Sequence, residues 1–290
     1  MLTSKDGDGP SDAEDSKLIS GGGSSATAGT SAKGLKHEHK MVLLLLWAGG
    51  STFVLGLVAC LMLTMVSTEA VGAGDFRNHI VFMPWAFVFS APLGAIAWRI
   101  MPALGASRET TKKVHAFFML EATVLASLGV IGIVKAHAEH YERETNAWGE
   151  AHFQSAHSWI GIVAFTIFFA NALGGFGYFI LGNKFGLATK ETRANYMPIH
   201  AFFGFVAVGL TLLSVPMGIM AYAYRGTLEH GPPAGPGPND SKPINGIKGA
   251  AWASMQYKLS ALCIVGEIIS VFLVFFVSKP LAKQAEIRDA

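Results

Sequence analysis

The chain has 290 residues, of which 51% are apolar and 14% charged, with a formal net charge of +2. A typical soluble domain carries about 25% charged residues, so this chain is too poor in charge to cover a water-soluble globule. The near-neutral balance also excludes a nucleic-acid binder.

Residues 1–40 hold eleven of the 42 charges and are rich in Gly, Ser, Ala and Asp. Such a segment cannot bury a core and is expected to be a disordered cytosolic tail. Within it, Glu14 stands four places before Leu18-Ile19 and resembles an acidic dileucine sorting signal. That motif points to an endosomal, lysosomal or vacuolar membrane.

Six apolar segments follow, at 41–65, 80–98, 114–134, 157–181, 196–224 and 259–278. Each approaches the roughly 20 residues that a bilayer-crossing helix needs. They are too long for strands and lack strict alternation. Pro84, Pro92 and Pro216 fall inside the second and fifth segments, a position membrane helices tolerate when neighbours re-satisfy the freed backbone groups. Forty polar residues precede the first segment, so it reads as a retained anchor and not as a cleaved leader. The expected fold is all-α: six membrane spans over residues 41–280, with a short cytosolic tail at 281–290. Cys60 and Cys263 both lie in apolar runs, so inert core thiols are expected and no disulfide framework.

Basic residues in short loops set orientation. Lys33, Lys36 and Lys40 precede span one. Arg99, Arg108, Lys112 and Lys113 join spans two and three, and Lys184, Lys190 and Arg193 join four and five. Lys279, Lys283 and Arg288 follow span six. Both termini are therefore expected in the cytosol. The loop between spans five and six, with Arg225, Lys242, Lys248 and Lys258, runs against the pattern. The sequon Asn239-Asp240-Ser241 in that loop agrees with a non-cytosolic face.

Four of the ten histidines, His79, His115, His157 and His200, each sit near the start of a different span, from two to five. Polar side chains in membrane helices are costly and usually functional. Spans two and four begin on the non-cytosolic side, which places His79 and His157 at similar depth. Spans three and five begin on the cytosolic side, which does the same for His115 and His200. Two facing imidazoles from different helices can ligate a haem iron on both sides, leaving a six-coordinate centre suited to electron transfer. Two such haems would form a wire across the bilayer. A metal or proton transporter with a histidine relay is the alternative. Such a site usually adds carboxylates or thiolates, whereas the spans contain only Glu121 and Glu267 as acids. Glu121 lies six residues past His115, off the ligand face.

Three motifs carry a family resemblance: Lys113-Val114-His115-Ala116, Ser155-Ala156-His157-Ser158-Trp159-Ile160-Gly161, and Arg193-Ala194-Asn195-Tyr196-Met197-Pro198-Ile199-His200. With the spacing of His79 to Trp98-Arg99, they resemble the eukaryotic cytochrome b561 family over about residues 41–280. The run from His79 to Trp85 departs from the family's usual His-Pro pattern. The resemblance implies a bundle of spans two to five around two b-type haems, with His79 paired to His157 and His115 to His200. It implies a homodimer and a reaction in which cytosolic ascorbate reduces monodehydroascorbate or a ferric chelate on the other face.

Ascorbate is an anion, and Lys112, Lys113, Lys190 and Arg193 cluster at the cytosolic mouths of spans three and five, where they would focus it. Arg193 belongs to the family-like motif. The same charges also serve as topology signals. On the outer face His137, where the family carries a substrate histidine, and His140 are candidates for substrate and proton handling. Gly174, Gly175, Gly177, Gly204 and Gly209 are expected to let helices or a porphyrin edge approach closely. A flavin-linked reductase is disfavoured, because no dinucleotide-binding fingerprint is present.

Overall fold

A computed structural model describes the backbone of residues 27–70, 74–144, 155–229 and 246–288, and the side chains of 39–67, 74–138, 155–182, 184–220 and 255–276. The dileucine-like motif and the sequon lie outside these residues, as does the His140 side chain. The elements are α1 (Thr27–Ala70), α2 (Asp75–Pro84), a π-helical turn (Trp85–Ser90), α3 (Ala91–Ala103), α4 (Arg108–Glu144), α5 (Ala156–Gly175), a second π-helical turn (Phe176–Leu181), α6 (Gly182–Lys184), α7 (Lys190–Glu229) and α8 (Gly246–Arg288). The described residues form no strand.

Six stretches are long and apolar enough to cross a bilayer: His39–Ser67, Asp75–Ala103, Arg108–Ala138, Ala156–Leu181, Lys190–Met220 and Met255–Phe276. The protein is an integral, multi-pass membrane protein. Leu120 and Phe202 are more than 60% exposed, an arrangement that suits lipid and not water. The spans begin earlier than the apolar runs suggest. Lys112 and Lys113 end the hydropathic signal, yet the helix continues through them to Arg108, because a membrane helix need not stop where the hydrocarbon does.

Side-chain caps fix three helix starts. The hydroxyls of Ser107, Ser155 and Thr189 accept from the backbone N–H groups of Thr110 (3.1 Å), Ser158 (3.2 Å) and Thr192 (3.1 Å), satisfying donors that a helix N-terminus otherwise strands. The turn between α3 and α4 is equally defined. Gly105 adopts φ +77°, its N–H donates to Pro102 O (3.0 Å), and the Ala106 N–H donates to Met101 O (3.0 Å). This is a Schellman closure, which favours glycine at the left-handed position.

Spans two to five pack as a bundle. α4 lies along α2, the first π turn and α3, and α5 lies along α7. Ala86, Ala91, Ala122, Ala126 and Ala207 are all buried at 0% exposure in the shared core, and such small residues let membrane helices approach closely. Phe87 and Phe168 fill the bundle centre, ring centroids 5.1 Å apart and edge to face. α8 packs on α3 and α7. The indole N–H of Trp85 donates to Thr64 Oγ1 (3.0 Å), tying α1 to the first π turn. Cys60 and Cys263 are both free thiols.

Candidate functional site: two histidine pairs

The four histidines meet in the pairs expected from topology. His79 of α2 faces His157 of α5, with ring centroids 6.2 Å apart and planes at 78°. His115 of α4 faces His200 of α7 at 6.2 Å and 84°.

Backbone carbonyls orient three of the rings. Nδ1 of His79 donates to Gly129 O (3.1 Å), Nδ1 of His115 to Gly94 O (2.8 Å) and Nδ1 of His157 to Ser214 O (2.9 Å). The Ser214 hydroxyl also lies 3.2 Å from His157 Nδ1. A carbonyl only accepts, so the hydrogen of each ring sits on Nδ1 and Nε2 keeps its lone pair. The buried Nδ1 of His200 makes no well-formed hydrogen bond and lies beside the Asn171 backbone. The Asn171 side chain donates to His200 O (3.2 Å).

These contacts repeat along the helices. On α4, His115 and the acceptor Gly129 are 14 residues apart; on α7, His200 and Ser214 are 14 apart. On α5, His157 and Asn171 are again 14 apart. On the second span, His79 and Gly94 are 15 apart, and the first π turn lies between them. A π turn accommodates one extra residue, so all four helices present the same axial distance, roughly 21 Å at 1.5 Å per residue. Each helix thus carries one histidine and a backbone segment that meets a histidine of the other pair.

Glycines make room for the rings. A Cβ at Gly218 would stand 2.7 Å from Cε1 of His157, and one at Gly175 would stand 2.7 Å from Cε1 of His200. A Cβ at Gly174 would collide with the Tyr196 hydroxyl, and one at Gly204 would lie 3.2 Å from Asn171 Nδ2. Gly177 and Gly209 differ: nothing lies within 4 Å of a Cβ there, so close helix approach does not explain them. Gly94, Gly129, Ser214 and Gly218 were not singled out by sequence reasoning. All four act through backbone or through absence of a side chain, and only a known helix pairing would have exposed them.

Aromatic rings line the His115–His200 pair. Trp98 lies 5.9 Å from His115, and Phe179 lies 5.3 Å from His200. Tyr196 stands between His200 (6.0 Å) and Tyr178 (4.4 Å, stacked). Of the cationic candidates, Lys112 and Lys190 are exposed. Lys113 pairs with Glu109 at 3.8 Å on the surface. One Arg193 N–H donates to Ala188 O (2.7 Å), closing the turn before α7. His137 reaches the neighbourhood of His79, close enough to act on it electrostatically.

The sequence model of the eukaryotic cytochrome b561 family matches residues 78–225. The chain belongs to this family. It is 31% identical over 146 residues to the transmembrane ascorbate-dependent reductase of Ovis aries, a match covering 50% of this chain and 51% of that protein. It is 29% identical over 149 residues to the plasma membrane ascorbate-dependent reductase of Mus musculus, covering 51% and 47%. The matched stretch therefore spans about half the length of these relatives.

Membership in the cytochrome b561 family implies a b-type haem, and the residues present fit one. A metal bonded to one nitrogen of each ring at about 2 Å, with that nitrogen about 1 Å from its ring centre, needs centroids a little over 6 Å apart. Both pairs stand at 6.2 Å. The Nδ1 bonds leave Nε2 available on three rings and fix their orientation, as outer contacts of metal-bound histidines do.

Proposed function

We propose that this cytochrome b561 carries electrons across the membrane from cytosolic ascorbate through two bis-histidine b haems to a non-cytosolic acceptor, monodehydroascorbate or a ferric chelate. The observation that carries this reading is the pair of 6.2 Å histidine contacts, about 21 Å apart along one bundle. His115 and His200 would hold the cytosolic haem, and His79 and His157 the outer one. When bound, each haem would supply a one-electron carrier. The names of the relatives support ascorbate as donor and reduction as the activity.

The chain's own residues do the remaining work. The Gly129, Gly94 and Ser214 carbonyls hold the imidazoles in one tautomer. Phe87 and Phe168 keep the space between the pairs dry and packed. Lys112, Lys113 and Lys190 raise the local concentration of an anion at the mouths of α4 and α7. Arg193 shares this task with its loop-closing bond. On the outer face His137 handles the proton that accompanies reduction of an ascorbate radical, and His140 is the second candidate. Both termini face the cytosol, by the distribution of basic residues. The transporter alternative gains no support: among the described residues no three His, Cys, Asp or Glu side chains cluster as a metal site.

The test is an optical titration of the purified protein with ascorbate, with haem counted per chain. Two haems reduced by ascorbate are expected. Reduction by dithionite alone removes ascorbate as donor, and a folded protein without haem overturns the assignment of the four histidines.

A further inference from the structure

Away from the histidine pairs, the face shared by α1 and α8 is polar and buried. Thr52, Gly56, Cys60 and Ser67 are buried on α1, and Gln256, Ser260, Glu267 and Ser270 are buried on α8. Gly56 faces Glu267, and Leu55 faces Gly266. Thr52, Ser67, Ser260 and Ser270 each return a hydroxyl hydrogen to a carbonyl of their own helix, 2.8–3.0 Å away. They are satisfied, as interface hydroxyls in membranes usually are.

Glu267 is not. It is 0% exposed, and neither carboxyl oxygen has a hydrogen-bond partner. Leaving an ionised carboxylate in that state is among the costliest arrangements a membrane interior can hold. The surroundings are tight. A Cβ built at Gly56 would stand 3.3 Å from Glu267 Oε1 and 2.7 Å from the Val88 carbonyl. Among the described residues no metal-binding cluster exists. The cation that suits such a site is a proton, and its occupancy is set by the charge in the neighbouring bundle.

The site adjoins the bundle through one helix. Val88, whose carbonyl faces Gly56, lies in the first π turn, and the preceding residue, Phe87, packs on Phe168 in the bundle core. Glu267 thus stands about one helix diameter, roughly 10 Å, from the space between the histidine pairs. An electron entering that space adds a negative charge to a low-dielectric interior, which favours the acid over the carboxylate. The titratable groups facing Glu267 are Cys60 from α1 and Cys263 one turn earlier on α8. The second span contributes the Val88 carbonyl and α7 the apolar Ile219. Arg99 packs its guanidinium on Phe275, about two turns further along α8.

We propose that Glu267 is a proton-exchange site coupled to the electron occupancy of the bundle. As an electron from ascorbate enters, a proton from water bonds to one carboxylate oxygen. As the electron leaves for the acceptor, that O–H bond breaks and the proton returns to water. The net charge of the interior is the same before and after each step. This rests on the electron-transfer reading above.

The test is a redox titration of the purified holoprotein across a pH series, read by haem absorbance, with reduced-minus-oxidised infrared spectra. In the wild type the midpoint potential is expected to fall as pH rises, and the carbonyl stretch of a carboxylic acid to grow on reduction. Glu267→Gln is expected to lose both while keeping the haem spectrum, and Glu267→Asp to restore them. A pH dependence undiminished in Glu267→Gln overturns the proposal. Should that variant fail to accumulate, a hydrophobic carbodiimide applied to the wild type decides instead. Heavier modification of Glu267 in the reduced protein supports the coupling, and equal modification overturns it. A preparation without haem fails the electron-transfer reading, visibly and before any titration, and the coupling falls with it.

Discussion

Gly218 and Gly209 lie on the same helix, yet only Gly218 borders a histidine ring. Gly218→Ala pushes a methyl to 2.7 Å from His157 Cε1, so the ring must turn away from His79. The expected result is loss of the outer haem, read as a fall from two haems to one per chain. Gly209→Ala meets open space and is expected to keep both. His115→Ala or His200→Ala is expected to remove the cytosolic haem alone, leaving a protein that ascorbate reduces at least tenfold more slowly in stopped-flow absorbance. The histidines themselves were legible in the sequence, because a polar side chain in an apolar run stands out. Their partners were not. Gly94 and Gly129 act through a carbonyl that every residue possesses, so no residue type announces the role.

At the scale of single elements, the short turn between α3 and α4 holds the adjoining ends of the second and third spans in register. Gly105→Ala forces a Cβ into the left-handed region at a cost of about 1 kcal/mol. Ser107→Ala removes the α4 cap at about 1 kcal/mol. Each is expected to lower the temperature of haem release by a few degrees, and the two changes sit too close to be strictly additive. The caps were not readable in the sequence, since Ser107 and Thr189 are each followed three positions on by a threonine and not by the Glu or Gln of a capping box. Span existence was readable, from hydropathy. Span ends were not, because Lys112 and Lys113 stop an apolar run without stopping a helix. Neither π turn could be foreseen: Trp85–Ser90 and Phe176–Leu181 are composed like any other membrane helix. Only the 15-residue separation of His79 from Gly94, set against 14 elsewhere, betrays the first.

For the whole molecule, the decisive experiment separates the two faces. In sealed vesicles loaded with ascorbate at the face bearing the termini, external ferric chelate is expected to be reduced by the wild type. Removal of either histidine pair is expected to abolish this, because each would hold one end of a single route. Vesicles of the opposite orientation are expected to be at least tenfold slower. The pairing that underlies this prediction was legible because alternating span direction fixes depth without any side-chain contact. The polar seam around Glu267 was not, since its partners come from the two ends of the chain and their level depends on the packing of α1 against α8. The equal spacing of histidine and facing segment on all four bundle helices also restricts how such a chain can change in length. Deleting one residue between them on α4, α5 or α7 would rotate everything beyond by about 100° and leave one contact facing away. The first π turn holds the one spare residue found in these intervals. Relatives one residue shorter within the second span are therefore expected to be those in which this turn has become ordinary helix, and the other three intervals to tolerate neither insertion nor deletion.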